Sequence, residues 1–223
     1  MRSAALFTLI TLLYLSVAIF SRASEALAGA AEGEKIFTAK RCAACHRTEG
    51  PVKVTLTERL KEKGPDLWYA GSRFKREFLL DWLKSPKAIR PMAYNSLTIK
   101  NRGDHARLSK EDAASVTDYL MTLKSPLVRS AGIKPNTAVK GRFIFQKKLG
   151  CYGCHMVRRG SKVVGGLTGP ALIGASKMLQ PDWIYAYLKD PKAFTPATPM
   201  PIYRGLVSDS DLRALAGFVA GME

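Results

Sequence analysis

The feature of this sequence that most constrains its fold is a five-residue motif that occurs twice. The first copy is Cys42-Ala43-Ala44-Cys45-His46 and the second is Cys151-Tyr152-Gly153-Cys154-His155. The two copies contain all four cysteines of the 223-residue chain and two of its three histidines. A pattern that repeats and takes up every cysteine indicates one local structure built twice, around the same chemistry.

This spacing places two thiols three positions apart on one helical turn, with an imidazole directly behind them. It is the attachment pattern of c-type haem, in which the thiols bond the vinyl groups and the histidine binds iron. Two local disulfides or a redox pair would not explain the histidine, and a zinc site usually adds a distant second cysteine pair. The sequence therefore predicts two covalently bound haems, attached through Cys42, Cys45, Cys151 and Cys154, with His46 and His155 as iron ligands.

The surroundings of the motifs repeat as well. Three pairs of segments correspond: 33–37 with 141–145, 64–67 with 169–172, and 83–88 with 188–193. Apolar residues do not alternate with a period of two, so no strands are expected. The predicted fold is all-α, with a small helical domain at 31–125, a linker at 126–136 and a second domain at 137–223, each wrapped around a haem.

Each half closes with an amphipathic stretch, Lys110 to Leu123 and Asp209 to Met222. Ser109 and Ser208 precede these stretches, and acidic residues follow in the first turn. A serine followed by acidic residues is typical of a helix N-terminus. Both stretches are therefore predicted to be helices.

Met92 and Met200 are the candidates for the second iron ligand. They lie 46 and 45 residues after their motif histidines, and each follows a proline directly. Proline fixes φ, and a rigid loop can hold the flexible thioether at a set point. His105 lies in a loop that is longer in the first half. It is either a solvated residue or a distal ligand of the first haem, alone or in exchange with Met92.

The N-terminal sequence indicates an export signal. Residues 4–20 are uncharged and mostly apolar, and Ala26-Leu27-Ala28 forms an A-x-A site, which predicts a signal peptide over 1–28. The alternative is a retained anchor, because 17 apolar residues lie at the lower edge of what a membrane helix needs, about 17–25. Both alternatives predict a periplasmic protein, soluble after cleavage or tethered to the inner membrane if the segment is retained.

The charge balance predicts an anionic partner. Lys and Arg total 35 against 18 Asp and Glu, a formal net charge of +17, and basic residues flank both motifs. Such an excess favours nucleic acid, an acidic lipid surface or an acidic protein. Export disfavours nucleic acid, which leaves an acidic redox protein or membrane respiratory complex, with an anionic membrane surface as a further possibility.

Together these features resemble the class I cytochrome c family, present twice as in fused dihaem electron-transfer cytochromes. The resemblance runs from about residue 31 to the C-terminus and rests on C-x-x-C-H, the downstream Gly-Pro and the Pro-flanked Met. It implies that the carbonyls of Pro65 and Pro170 accept hydrogen bonds from the two motif imidazoles. It also implies helix contacts in each half, between Gly33, Phe37 and Tyr119 and between Gly141, Phe145 and Phe218.

The predicted ligands indicate the function. His/Met ligation raises the haem potential and fills both axial positions, which favours electron transfer over bond-making chemistry. The main hypothesis is an exported dihaem cytochrome that transfers single electrons between respiratory partners, with no catalytic residue. The alternatives are an electron-transfer subunit of a larger membrane oxidoreductase and, third, a dihaem enzyme with a displaceable distal ligand.

Overall fold

The computed structural model describes residues 27–52 and 55–223. The predicted signal peptide at 1–28 therefore lies outside the described residues, except for 27 and 28, which belong to the first helix. Within the described part of the chain, no helix is long and apolar enough to cross a membrane.

Among the described residues of the first half, the regular elements are all helical, and a long loop separates the last two of them. Helix α1 covers 27–39 and leads into a 3₁₀ turn that carries the first motif. The elements after α1 are, in order, the 3₁₀ turn Cys42–Ala44, α2 (Leu56–Lys61), α3 (Ala70–Arg73), α4 (Arg76–Lys84) and α5 (Lys110–Thr122).

The second half repeats this order, but a hairpin of two short strands takes the place of α2 and a short helix, α9, is added. Helix α6 continues into a π-helical turn before the second motif, and α10 closes the chain. The elements are α6 (Val139–Phe143), the π turn Ile144–Lys148, the 3₁₀ turn Cys151–Gly153, β1 (Val157–Arg159), β2 (Lys162–Val164), α7 (Ala175–Met178), α8 (Pro181–Lys189), α9 (Pro191–Phe194) and α10 (Asp209–Ala220). The predicted pair of small helical domains is confirmed.

The hairpin β1–β2 was not predicted, and the expectation of no strands was wrong here. The strands pair in antiparallel fashion, with Arg159 opposite Lys162. Gly160 begins the two-residue turn with a φ of +60°, which suits the tight turns that join such strands. Each strand has only three residues, too few for an alternating pattern to stand out in the sequence.

The two closing helices begin where the sequence predicted. The Ser109 side chain accepts a hydrogen bond from the Asp112 N–H at 3.0 Å, and the Ser208 side chain accepts one from the Asp211 N–H at 3.1 Å. Each serine thereby satisfies one of the unpaired N–H groups of the first turn. The helices end at Thr122 and Ala220, one or two residues before the predicted ends.

In the first half, α1 crosses α5 at close range. A Cβ on Gly33 would collide with the carbonyl oxygen of Ser115 and lie 2.9 Å from the Cβ of Tyr119. One turn along, the rings of Phe37 and Tyr119 pack with centroids 5.5 Å apart. Glycine is needed at position 33 because the two backbones touch there.

The second half repeats this crossing between α6 and α10. A Cβ on Gly141 would collide with the carbonyl oxygen of Ala214. The rings of Phe145 and Phe218 pack with centroids 5.8 Å apart. The helix contacts implied by the resemblance are therefore confirmed in both halves.

The two domains meet where α3 joins α4 and where α7 joins α8. The N–H of Lys75 donates to the Met178 carbonyl at 3.0 Å, and the N–H of Gln180 donates to the Arg73 carbonyl at 2.8 Å. Aromatic rings continue this contact in two stacked pairs, Trp68 with Phe194 and Tyr69 with Trp183. Backbone bonds and stacked rings thus join the domains over buried surface.

Candidate haem-binding sites

The first motif lies on a single 3₁₀ turn that ends α1. The N–H groups of Cys45 and His46 both donate to the carbonyl of Cys42 at 3.1 Å, which brings the three motif residues onto one turn. Arg41 precedes the turn with a φ of +58°, a left-handed conformation that costs a non-glycine residue energy. Both thiols are free, as attachment to another group requires.

The His46 ring is held in one orientation by the segment that follows α2. Its Nδ1 lies 2.8 Å from the Pro65 carbonyl oxygen, so Nδ1–H donates and Nε2 is left as the metal-binding nitrogen. A Cβ on Gly64 would lie 2.7 Å from the ring, so glycine lets this segment approach. Burial lowers the pKa of His46, which favours the neutral imidazole that binds metals.

The second motif has the same geometry. The N–H of His155 donates to the Cys151 carbonyl at 3.1 Å, and Nδ1 of His155 lies 2.8 Å from the Pro170 carbonyl oxygen. A Cβ on Gly169 would lie 2.7 Å from that ring, and burial lowers the pKa of His155 too. The proline contacts implied by the resemblance are confirmed for both imidazoles. The left-handed position before this motif is a glycine, Gly150.

The two predicted methionine ligands differ in their surroundings. Met92 retains 7% of its surface exposed, and its backbone forms an isolated antiparallel bridge with Lys100. Met200 is only half-buried, and its N–H donates to Thr198 Oγ1 at 3.3 Å. Their role as iron ligands stays a prediction.

The structure brings the third histidine to the first motif. The ring of His105 lies with its centroid 5.9 Å from that of His46 and 4.7 Å from that of Trp82. From the sequence alone, His105 is either a solvated residue or a distal ligand of the first haem. Sequence spacing could not place it, because 59 residues separate it from His46 and the path of the intervening chain decides where it lies.

Each half of the chain matches a known protein family. Residues 30–124 match cytochrome c, and residues 136–219 match the family described as cytochrome c oxidase, cbb3-type, subunit III. The chain belongs to the class I cytochrome c family. It contains two cytochrome domains, and such domains carry covalently bound haem and transfer electrons.

No curated protein matches this cytochrome. A chain of the reducing HAO-like protein complex Kustc0457/Kustc0458 of Kuenenia stuttgartiensis is similar to it, with 19% sequence identity and a TM-score of 0.33. The match covers 84% of the cytochrome and 94% of that chain.

Buried donors near the domain interface fit the acidic groups of haem. Among the described residues, four buried side-chain N–H groups have no hydrogen-bond partner: Trp68 Nε1, Arg73 Nε, Arg90 Nε and Trp183 Nε1. Unpaired buried donors are costly, and two haems bring four carboxylates able to accept from such groups. Arg90 also joins the domains, because its Nη2 donates to the Thr168 carbonyl at 2.7 Å.

A buried charge network beside the first motif was missed in the sequence. Asp66 accepts from Arg47 Nε at 2.8 Å and from Arg59 Nη1 at 3.1 Å, and Glu62 pairs with both arginines. The Arg59 side chain is 9% exposed and that of Asp66 is 7% exposed. Arg47, one of the basic residues that flank the first motif, is therefore neutralised within this network. Side chains that meet across a loop in this way leave no spacing signal.

Other basic residues near the motifs are also neutralised. Lys40 pairs with Asp112 at 3.3 Å, and Lys140 and Lys148 both pair with Asp211, at 3.0 and 2.7 Å. The hairpin after the second motif presents its basic residues to solvent instead: Arg158, Arg159 and Lys162 are all exposed. The hairpin therefore offers three basic side chains to a partner that approaches the second motif.

Proposed function

We propose that this cytochrome is an exported dihaem electron carrier that passes single electrons between respiratory redox partners. The observation that carries the proposal is the repeated contact of a motif imidazole with a proline carbonyl, 2.8 Å in both domains. A hydrogen bond of this kind fixes the tautomer and orientation of an iron-ligating histidine. Two domains with this contact supply two equivalent places for a redox centre.

The chain's own residues would hold each haem from several sides. Cys42 and Cys45 would attach the first haem and Cys151 and Cys154 the second, with His46 and His155 as proximal ligands. Met200 would complete the coordination of the second haem. When bound, the haem supplies a one-electron iron couple, and ligands on both faces suit it to electron transfer.

The protein around the two sites limits rearrangement during electron transfer. Each proximal imidazole is held by a main-chain carbonyl, and the Gly64 and Gly169 backbones lie against the rings. Arg73 and Arg90 would donate to haem carboxylates, because each keeps a buried, unpaired Nε. A site that is fixed before the electron arrives needs little reorganisation of charges and dipoles during the transfer.

The partner that fits this cytochrome is an acidic redox protein or membrane respiratory complex. Its formal net charge is +17, and Arg158, Arg159 and Lys162 extend into solvent beyond the second motif. A basic patch beside a redox centre steers an acidic partner by long-range attraction. The apolar segment at 4–20 supports export to the periplasm, where such partners work.

Haem content tests the proposal directly. The protein, expressed in a host that attaches c-type haem, should contain two covalent haems per chain. Replacing Cys42 and Cys45 by alanine should leave one haem, as should replacing Cys151 and Cys154. Each remaining haem should titrate as a reversible one-electron centre.

Two further results would point to the alternatives. Binding of carbon monoxide by the reduced protein together with turnover of peroxide would favour a dihaem enzyme over a carrier. Stable co-purification with a large membrane oxidoreductase would favour a dedicated subunit of that complex. A chain without covalent haem would overturn the proposal altogether.

A further inference from the structure

The third histidine of the chain deepens the proposed function, on which the following inference rests. His105 and His46 face each other with ring centroids 5.9 Å apart and ring planes inclined by 42°. His105 is exposed, so the burial of an apolar surface does not explain this position. The question is what the position would allow when a haem is attached to the first motif.

In both rings Nδ1 is hydrogen-bonded, which leaves Nε2 as the nitrogen that can bind a metal. Nδ1 of His46 is engaged by the Pro65 carbonyl at 2.8 Å, and Nδ1 of His105 is engaged by the Ala106 carbonyl at 2.9 Å. When Nδ1–H donates to a carbonyl, the neutral imidazole offers a lone pair at Nε2. A backbone carbonyl on the second nitrogen is also one of the common partners of a metal-ligating histidine.

The segment that carries His105 is fixed on both sides. The N–H of Asn101 donates to the Pro91 carbonyl at 2.9 Å, and the N–H of Leu108 donates to the Leu83 carbonyl at 3.0 Å. Between these anchors the His105 ring packs on Trp82, whose Nε1–H is held by the Lys87 carbonyl at 2.8 Å. The histidine is therefore positioned by its neighbours and not simply solvated.

The distance between the rings matches a pair of ligands on one metal ion. With imidazole–metal bonds of about 2.0–2.1 Å, as for zinc, two imidazoles on opposite sides of one ion have centroids roughly 6 Å apart. We infer that His105, rather than Met92, is the second axial ligand of the haem at the first motif. The first haem is then ligated by His46 and His105, and the second by His155 and Met200.

The two methionines and their loops differ between the halves. Met92 is 7% exposed, so protein atoms already cover nearly all of its surface, whereas Met200 is half-buried. The first half has 17 residues from Met92 to Ser109, and the second has only 8 from Met200 to Ser208. The extra length carries His105 and has no counterpart in the second half.

The assignment predicts the direction of electron transfer between the two haems. Methionine in place of a second imidazole raises the potential of a haem, so the first haem has the lower potential and the second the higher. Electrons that enter at the first domain then pass downhill to the second. The basic hairpin at residues 157–164 lies in the second domain, on the side from which electrons leave.

Spectroscopy of the oxidised wild-type protein tests the inference. The thioether-to-iron band at the far-red end of the spectrum should have the intensity of one haem per chain, and low-temperature electron paramagnetic resonance should show one bis-imidazole haem. The Met200→Ala variant should lose the band and Met92→Ala should keep it. The His105→Ala variant should lose the bis-imidazole signal alone, and its neighbour variant Arg107→Ala should keep both signals.

The opposite pattern would overturn the inference. Band intensity for two haems in the wild-type protein, with half of it lost in Met92→Ala, would make Met92 the ligand. The band intensity of the wild-type protein alone distinguishes one methionine-ligated haem from two, so poor folding of His105→Ala does not leave the question open. Haem content separates the two proposals: two haems that are both methionine-ligated would remove only the inference, and absence of covalent haem would remove the proposed function.

Discussion

Phe74 of the first domain and Leu179 of the second form an antiparallel bridge, and the two residues hold the same position in their repeats. Pro65 and Pro170 are 105 residues apart, and so are Phe74 and Leu179. Two hydrogen bonds flank the bridge, one from the N–H of Lys75 to the Met178 carbonyl and one from the N–H of Gln180 to the Arg73 carbonyl. The same offset turns each bond into the other, because Lys75 corresponds to Gln180 and Arg73 to Met178. The two segments that meet at the bridge are therefore related by a local two-fold axis through it.

The two-fold bridge should couple the unfolding of the domains. Proline at positions 75 and 180 would remove both donors without backbone strain, because Lys75 and Gln180 have φ angles of −75° and −73° and proline prefers about −65°. Each lost hydrogen bond should cost about 0.5–1.5 kcal/mol. Calorimetry of the double variant should resolve two unfolding transitions where the wild-type protein shows one.

The control for the bridge keeps the backbone donors. Alanine at both positions retains each N–H but removes the side-chain bonds, from Lys75 Nζ to the Ser176 carbonyl at 2.7 Å and from Gln180 Nε2 to the Phe74 carbonyl at 3.2 Å. This variant should unfold in one transition. A single transition in the proline variant as well would show that the aromatic contacts alone couple the domains.

The close approach of glycine to each proximal imidazole gives a second prediction. Gly64→Ala should crowd the His46 ring, because the new Cβ would lie 2.7 Å from Cε1 and 2.9 Å from Nδ1. Such overpacking costs about 1–3 kcal/mol of stability. It should also weaken the bond to the Pro65 carbonyl, make the imidazole less basic and raise the potential of the first haem.

A redox titration with separate potentials for the two haems measures this effect. Gly169→Ala should raise the potential of the second haem, since its Cβ would lie 2.7 Å from Nδ1 of His155. Gly153→Ala is the control within a motif, because its Cβ would meet nothing within 4 Å. Equal shifts of both potentials in each variant would contradict a local effect on one imidazole.

The sequence predicted the repeated parts of this cytochrome well and the unrepeated parts poorly. The motif turns, the capped closing helices and the proline contacts recur at fixed offsets, so each half supports the prediction for the other. His105 and the Asp66 network occur in the first half only. Their contacts depend on how a particular loop folds back, and neither hydrophobic periodicity nor residue spacing encodes that path.

The buried network predicts that replacing Arg59 destabilises the protein much more than replacing Arg76. Arg59→Met should destabilise the protein by about 3–5 kcal/mol, because it leaves Asp66 and Glu62 with less compensation in a buried site. Arg76→Met breaks the pair with Asp118, in which the side chains are 43% and 25% exposed, and should cost less than about 1 kcal/mol. Urea unfolding of the haem-loaded protein measures both, and similar costs would show that the network is well solvated.

The exposed hairpin gives the last prediction, which concerns the partner. Replacing Arg158, Arg159 and Lys162 by glutamate should slow electron transfer to an acidic partner by about 10-fold or more at low ionic strength, because steering contributes 10- to 1000-fold to association rates. The variant should also lose most of the salt dependence of the wild-type protein, since added salt screens the attraction.

A matched triple variant separates local steering from net charge. Lys124, Arg129 and Lys134 are exposed in and next to the linker, so replacing them by glutamate changes the net charge by the same amount at a distant place in the sequence. Stopped-flow rates with an acidic redox protein, measured over a range of salt concentrations, should fall less for this variant than for the hairpin variant. Equal losses would mean that overall charge attracts the partner and that the hairpin is not the docking surface.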